Sequence, residues 1–172
     1  MSLPRTTLVL GGARSGKSAW AEALLAPGPA LYLATGEALD DEMAERIRHH
    51  RRRRGPLWET HEEPLALTRA LKRLARPERP VLVDCLTLWL SNLMHAGADV
   101  DAAAAELCDA LRDAAGPVVL VSNEVGLGLV PDTRLGRDFR DHQGRLNQSV
   151  AACCRRVVFI AAGLPLTLKD EP

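Results

Sequence analysis

The stretch that decides the fold lies near the amino terminus, where residues 7–18 are TLVLGGARSGKS. Its last eight letters match the spacing G-x-x-x-x-G-K-[ST], with an apolar run before them and helix-forming residues after them. In such a loop the glycines let successive backbone N–H groups curl around phosphate oxygens, and the following helix adds the positive end of its dipole. Lys17 can then reach the terminal phosphates, and Ser18 can ligate Mg²⁺. The competing interpretation is a glycine-rich turn that contains a lysine by chance.

Short apolar runs alternate with longer segments of helical period along the whole chain. Buried strands are predicted at 7–12, 30–35, 80–85, 117–125 and 156–163. Helices are predicted at 17–25, 40–53, 65–75, 86–95, 101–114 and 138–154. Strands without polar alternation indicate a parallel sheet that is covered on both faces. We therefore expect an α/β fold, a RecA-like P-loop NTPase with three layers and a mainly parallel central sheet, in one domain over residues 1–172.

Composition limits the class of partner. The chain has 172 residues, and its 22 Lys and Arg balance its 22 Asp and Glu, so no strong overall field attracts a polyanion. The four cysteines show no C-x-x-C spacing, which is typical of a reducing compartment. No apolar run approaches the roughly 18 residues of a membrane helix. We expect a cytoplasmic protein without a membrane span or a nucleic-acid partner.

A P-loop needs a second acid near its metal ion, and Asp84 ends the predicted strand at 80–85. In α/β folds, ligands bind in the crevice at the carboxyl ends of the strands. Asp84 is therefore a candidate metal residue together with Ser18. The alternative is that Asp84 caps the helix predicted from residue 86.

The segment ERIRHHRRRRGP, at 45–56, places two histidines beside four arginines. On a helix from Asp40, His49 lies on the accessible side, four residues after Glu45, which can orient its ring. The arginines admit three interpretations: a solvated helix end, a nucleic-acid contact, or neutralisation of a nucleotide triphosphate.

Four blocks together resemble one enzyme family. They are GGARSGKS, ATGEALDDEMAERIRHH, VLVDCLTLWLSNLM and VSNEVGLGLVPDTRLGRDFRDHQGRLNQ. In this order they are similar to the bifunctional adenosylcobinamide kinase / adenosylcobinamide-phosphate guanylyltransferase family of cobalamin biosynthesis. The resemblance extends from Leu8 to about Lys169, and the second and fourth blocks make it specific.

The resemblance implies two reactions at one nucleotide site. Adenosylcobinamide is first phosphorylated with ATP or GTP, and a histidine then carries GMP from GTP to adenosylcobinamide phosphate. It implies Mg²⁺ as cofactor, a homotrimer, and His49 and Lys17 as catalytic residues. The nucleotide contacts that it implies are Gly11, Gly12, Ala13, Arg14, Ser15, Gly16, Lys17, Ser18, Ala34, Thr35, Gly36, His50, Arg51, Arg52, Arg53, Glu62 and Asp84.

Smaller hypotheses concern the fourth block. Asn123 and Glu124 follow a predicted strand and either reach the substrate or metal, or hold a loop by side-chain hydrogen bonds. His142, Gln143 and Asn147 are candidates for contact with substrate or another subunit.

Two rival functions remain at this stage. One is a P-loop kinase of another small metabolite, without a covalent intermediate. The other is a nucleotide-switched nucleic-acid-binding module that uses the arginine run, although this run lacks interleaved aromatic residues.

Overall fold

The computed structural model describes residues 3–36 and 55–171. Its strands are β1 (Thr6–Gly11), β2 (Ala30–Ala34), β3 (Trp58–Glu62), β4 (Val81–Asp84), β5 (Val118–Asn123), β6 (Arg156–Ala161) and β7 (Leu164–Asp170). The described helices are α1 (Lys17–Leu25), α2 (Leu67–Leu74), α3 (Leu86–His95), α4 (Val100–Arg112) and α5 (Arg134–Cys153).

All seven strands form one sheet in the order β3-β2-β4-β5-β1-β6-β7. Every pairing is parallel except that of β6 with the edge strand β7. Strand β1, which leads into the P-loop, is separated from β4 by β5 alone. The carboxyl ends of β1, β4 and β5 therefore share one edge of the sheet, and the predicted fold class is confirmed.

The sheet is covered on both faces, which explains its continuous apolar strands. Consecutive residues of β1 enter different clusters: Leu8 packs on the face of α2, α3, α4 and α5, and Val9 packs on the face of α1. Tyr32 and Val119 join Val9, while Leu120 joins Leu8. The sheet, whose central strands show no polar alternation, is therefore the middle layer between two layers of helices.

Two strands were not predicted, and both lie at sheet edges. Strand β3 has the sequence WETHE and is partly exposed along its length, so it lacks an apolar run. Strand β7 exposes three alternating leucines, Leu164, Leu166 and Leu168. Their period of two is a strand signal, but Pro165 weakens it, because proline is tolerated in sheets chiefly at edges.

No helix within the described ranges is long and apolar enough to cross a bilayer. The four cysteines are free thiols.

A buried polar network fastens α5 to β5. The Gln143 amide group donates to Ser122 Oγ at 3.0 Å and to Asn147 Oδ1 at 2.9 Å. Ser122 Oγ donates to Asn147 Oδ1 at 2.7 Å, and Asn147 Nδ2 donates to the Asn123 carbonyl at 3.0 Å. Gln143 is fully buried and Asn147 is 6% exposed. The hypothesis that this pair contacts substrate or another subunit is therefore wrong, because both side chains face the strand that they anchor.

We expect Asn147→Ala to lower the free energy of unfolding by about 1–3 kcal/mol, since it leaves buried polar groups without partners. Chemical denaturation followed by circular dichroism measures the change. Gln148→Ala is the matched control, because Gln148 is exposed on the same helix and should change stability by less than about 0.5 kcal/mol. Equal stability of the two variants would contradict the role given to the network.

Candidate active site

The P-loop forms a backbone cradle between β1 and α1. Arg14 and Gly16 have positive φ angles of 56° and 95°, and the Ser15 amide donates to the Gly12 carbonyl at 3.3 Å. Gly16 is the N-cap of α1, and in the described part of the chain no side chain caps this helix end. Successive amides in such a turn, followed by a helix amino terminus, form a concave anion site.

Lys17 lies over this cradle. Its Nζ donates to the Gly12 carbonyl at 3.0 Å, and the side chain is partly buried. This bond holds the ammonium group above the loop, where phosphate oxygens would bind. Ser18 follows in the first turn of α1, at the same end of the helix.

The β6–β7 turn supports the loop from a distant part of the chain. The Gly163 amide donates to the Ser15 carbonyl at 2.8 Å. Ala162 and Gly163 both have positive φ, as in the tight hairpin turns that join antiparallel strands. Gly11 is required for the same packing, because a Cβ atom there would lie 2.6 Å from the Ile160 carbonyl oxygen. Sequence reasoning missed this support, and a hairpin at Ala162-Gly163 was the signal for it.

Three of the predicted site residues end adjacent strands at the same edge. In the sheet register Ala34 lies opposite Glu62 of β3 on one side and Asp84 of β4 on the other. Thr35 continues from this point: its amide donates to the Asp84 carbonyl at 3.3 Å. Its hydroxyl donates to the Cys85 carbonyl at 2.6 Å and accepts from the Cys85 amide at 2.9 Å. The chain after β2 is therefore fixed to the end of β4.

Cys85 lies within electrostatic range of both Asp84 and Lys17. Burial raises the pKa of the Cys85 thiol to about 11, the Asp84 carboxylate adds to the rise, and the Lys17 ammonium opposes it. The carboxylate of Asp84 and the ammonium group of Lys17 therefore both act on this thiol. Asp84 ends β4 and Lys17 follows the P-loop, so these two parts of the chain face the same region. Cys85 stays a neutral thiol near pH 7, so it is a poor nucleophile.

Asp84 does not cap α3. The N-cap of this helix is Cys85, and no capping side chain among residues 3–36 and 55–171 hydrogen-bonds to the helix end. The capping interpretation of Asp84 is therefore wrong, and its carboxylate stands at the carboxyl edge.

The donor set fits a magnesium ion that is completed by a nucleotide. Ser18 offers a hydroxyl and Asp84 a carboxylate, which are the hard oxygen ligands that Mg²⁺ takes. Across residues 3–36 and 55–171 there is no cluster of three or more His, Cys, Asp or Glu that would form a cage made only of protein. Mg²⁺ usually binds one or two side chains together with phosphates and water, so the arrangement suits it.

Asn123 and Glu124 lie beside the P-loop at the end of β5. Asn123 is opposite Gly11 in the register, and the Glu124 amide donates to the Gly11 carbonyl at 3.1 Å. The Glu124 carboxylate accepts from the Gly126 amide at 2.6 Å, so Glu124 holds a loop, as one of the two hypotheses stated. Among the described residues, Asn123 Oδ1 is buried without a hydrogen-bond partner, which costs free energy unless a bound group supplies a donor.

The described site residues meet at one edge of the sheet. They are Gly11, Gly12, Ala13, Arg14, Ser15, Gly16, Lys17, Ser18, Ala34, Thr35, Gly36, Glu62 and Asp84. The remaining predicted site residues, His49, His50, Arg51, Arg52 and Arg53, lie outside the described residues.

The sequence model of the cobinamide kinase / cobinamide phosphate guanyltransferase family matches residues 7–168. The chain belongs to this family. The family model covers the P-loop, Asp84 and the β6–β7 turn of this cobinamide kinase / guanyltransferase family member.

Curated relatives agree with the family. The bifunctional adenosylcobalamin biosynthesis protein CobP of Pseudomonas aeruginosa is 50% identical over 169 residues, which cover 96% of this chain and 98% of the relative. The bifunctional adenosylcobalamin biosynthesis protein CobU of Escherichia coli is 41% identical over 178 residues, covering 94% and 98%. The resemblance inferred from the four sequence blocks is confirmed, and the chain is an enzyme of the cobinamide kinase / guanyltransferase family.

Solved structures support the fold of this family member. A type III secretion system ATPase of pathogenic bacteria matches with a TM-score of 0.57 at 12% identity, covering 97% of this chain and 57% of that chain. The P4 protein from bacteriophage phi6, in complex with ADP, matches with a TM-score of 0.54 at 18% identity, covering 95% and 54%. The chain thus spans about half of each of these ATPase chains, and the shared part is the P-loop ATPase fold.

Proposed function

We propose that this enzyme phosphorylates adenosylcobinamide with ATP or GTP, and then transfers GMP from GTP to adenosylcobinamide phosphate. The product is adenosylcobinamide-GDP, and the GMP is carried by His49. The observation that carries the proposal is that an anion cradle with Lys17 lies at the same sheet edge as Asp84, with only β5 between their strands, in a chain of the cobinamide kinase / guanyltransferase family.

In the kinase step the hydroxyl oxygen of the aminopropanol arm attacks the γ-phosphorus, and the nucleoside diphosphate leaves. Such transfers ask a protein mainly for positioning and for positive charge around the phosphate. The P-loop amides hold the phosphate oxygens, and the Lys17 ammonium moves from the Gly12 carbonyl to the phosphates.

In the transfer step a ring nitrogen of His49 attacks the α-phosphorus of GTP, and pyrophosphate leaves. A phosphate oxygen of adenosylcobinamide phosphate then attacks the same phosphorus, and the imidazole leaves. Splitting one transfer into two easier steps is the advantage of such a covalent carrier. His50, Arg51, Arg52 and Arg53 supply nucleotide contacts in this proposal.

The magnesium ion is proposed to bind Ser18 and Asp84. When bound, it neutralises part of the charge of the phosphates. Ala34, Thr35, Gly36 and Glu62 are proposed to contact the nucleotide from the neighbouring strand ends, a role supported by their alignment with Asp84.

We further propose a cytoplasmic homotrimer that binds no nucleic acid. The free thiols support the compartment, and the balanced charge supports the absence of a polyanionic partner. Strand β7 is the last strand of the sheet among the described residues, and such an edge can pair with another chain.

A two-stage product assay tests the function. Purified protein is incubated with adenosylcobinamide, ATP and Mg²⁺, and GTP is added afterwards, with each product identified by mass spectrometry. We expect the phosphate ester before GTP is added and the GDP derivative after. Phosphorylation without any GDP derivative would favour a simple P-loop kinase, and no reaction with the corrinoid would exclude the proposal.

A further inference from the structure

Four apolar side chains stand exposed in and after the loop between β5 and α5. Leu127, Leu129 and Val130 are 83%, 95% and 65% exposed, and Leu135 in the first turn of α5 is 63% exposed. We call these four side chains the apolar platform. Single exposed leucines are ordinary on protein surfaces, but four such side chains within residues 127–135 favour a binding surface.

Hydrogen bonds fix the loop at both of its ends. At the start, the Glu124 carboxylate accepts from the Gly126 amide at 2.6 Å. At the end, the Arg137 guanidinium donates to the carbonyls of Pro131 at 2.9 Å and Asp132 at 2.8 Å. The backbone of the loop is therefore held in place while its apolar side chains remain in solvent, which is the arrangement of a prepared binding surface.

The apolar platform begins next to the nucleotide site. The Glu124 amide donates to the carbonyl of Gly11, the first glycine of the P-loop. Leu127 follows Glu124 by three positions in the chain, and an extended chain of this length spans at most about 10 Å. A molecule resting on the platform can thus extend a short arm to the phosphates above Lys17.

The geometry points to the apolar platform as the binding surface for the corrin ring of the substrate, an inference that rests on the proposed function. The acceptor hydroxyl lies at the end of a flexible arm, so the ring must bind within one arm's length of the transferred phosphate. The ring carries many methyl groups, and its contact with leucine and valine side chains removes apolar surface from water.

The size of the apolar platform fits a small molecule better than a subunit. A stable protein interface buries roughly 800 Å² on each partner, which is more than four aliphatic side chains supply. The leucines of β7 form a separate exposed row on the edge strand.

The test uses the double variant Leu127→Ser/Leu129→Ser in the complete protein. We expect the KM for adenosylcobinamide in the kinase reaction to rise at least about tenfold. The KM for ATP, the oligomeric state measured by light scattering and the melting temperature should match the wild type. The conservative variant Leu127→Met/Leu129→Met should restore most of the affinity for the corrinoid. Leu57→Ser is the matched control. Leu57 is 57% exposed and precedes β3, so it lies at the amino ends of the strands, away from the carboxyl edge that carries the platform. The KM values of this variant for adenosylcobinamide and ATP should match the wild type.

Three results overturn the inference. An unchanged KM for adenosylcobinamide, in a wild type that phosphorylates it, removes the platform from substrate binding but leaves the proposed function intact. Dissociation of the oligomer in the serine variant means that the platform is a subunit contact. A wild type that does not phosphorylate adenosylcobinamide removes the proposed function and this inference together.

Discussion

Replacing Lys17 with alanine is expected to reduce both the kinase and the guanylyl-transfer rate by about 10²–10³-fold. The Lys17 ammonium lies over the P-loop, 3.0 Å from the Gly12 carbonyl, and no second lysine occurs between Gly11 and Ser18 to replace it. A charged donor aimed at the transferring phosphate is worth this much in a site that excludes water. Initial rates of phosphate-ester and GDP-derivative formation measure the loss.

Lys72→Ala is the control for this variant, because Lys72 is exposed on α2 and belongs to no proposed site. Its two rates should match those of the wild type. If Lys17→Ala keeps either reaction within a fewfold of the wild-type rate while it folds normally, then that reaction does not use the P-loop lysine.

Replacing His49 with alanine is expected to abolish formation of the GDP derivative and to leave kinase turnover within a fewfold of the wild type. In the proposed mechanism the kinase step uses the P-loop and Lys17, whereas only the transfer step forms a bond to His49. Product analysis with adenosylcobinamide, ATP and GTP separates the two rates, since the variant should accumulate the phosphate ester. The variant and Lys17→Ala therefore give different patterns, one losing the second product and the other losing both.

His95→Ala is the matched control, because His95 lies at the end of α3, where its ring contacts the Ser91 carbonyl. It should support both reactions. Loss of the kinase reaction in folded His49→Ala protein would contradict the assignment of separate residues to the two steps.

Local patterns in the sequence predicted the middle of the fold well. The sequence predicted β1, β2, β4, β5 and β6. A strand that is covered on both faces consists of consecutive apolar residues, and such a run can be recognised from the local sequence alone. The bounds of α1 and α3 were predicted to the residue, at 17–25 and 86–95. The edge strands β3 and β7 were missed. An edge strand buries fewer side chains, so its sequence does not need a continuous apolar run.

The start of α5 shows a different limit. The helix begins at Arg134, four residues before the predicted start, and Thr133 caps it by accepting from the Gly136 amide at 3.1 Å. Gly136 in the first turn lowers the local helix propensity. Its lack of a side chain is explained by packing, because a Cβ atom there would lie 2.8 Å from the Cβ atom of Pro131.

The site was predictable where its chemistry is local and was not where it depends on distant contacts. The P-loop has a fixed spacing because one turn and one helix end form the whole cradle. The bond from Gly163 to Ser15 joins the β6–β7 turn to the P-loop, and a hairpin signal at Ala162-Gly163 does not tell which part of the chain the turn contacts. Similarly, Gln143 and Asn147 are polar residues on a helix, and only the tertiary structure shows that they face Ser122 inside the core.

The central claim, that one histidine carries GMP, is tested most directly by mapping the covalent adduct. Wild-type protein is incubated with GTP labelled in the α-phosphate and Mg²⁺, without corrinoid, and the labelled peptide is sequenced by mass spectrometry. We expect one GMP per chain on His49, with a bond that is labile in acid and stable in alkali, and with release of the label as the GDP derivative when adenosylcobinamide phosphate is added. A label on another residue, or no label in protein that forms the GDP derivative, would contradict the account.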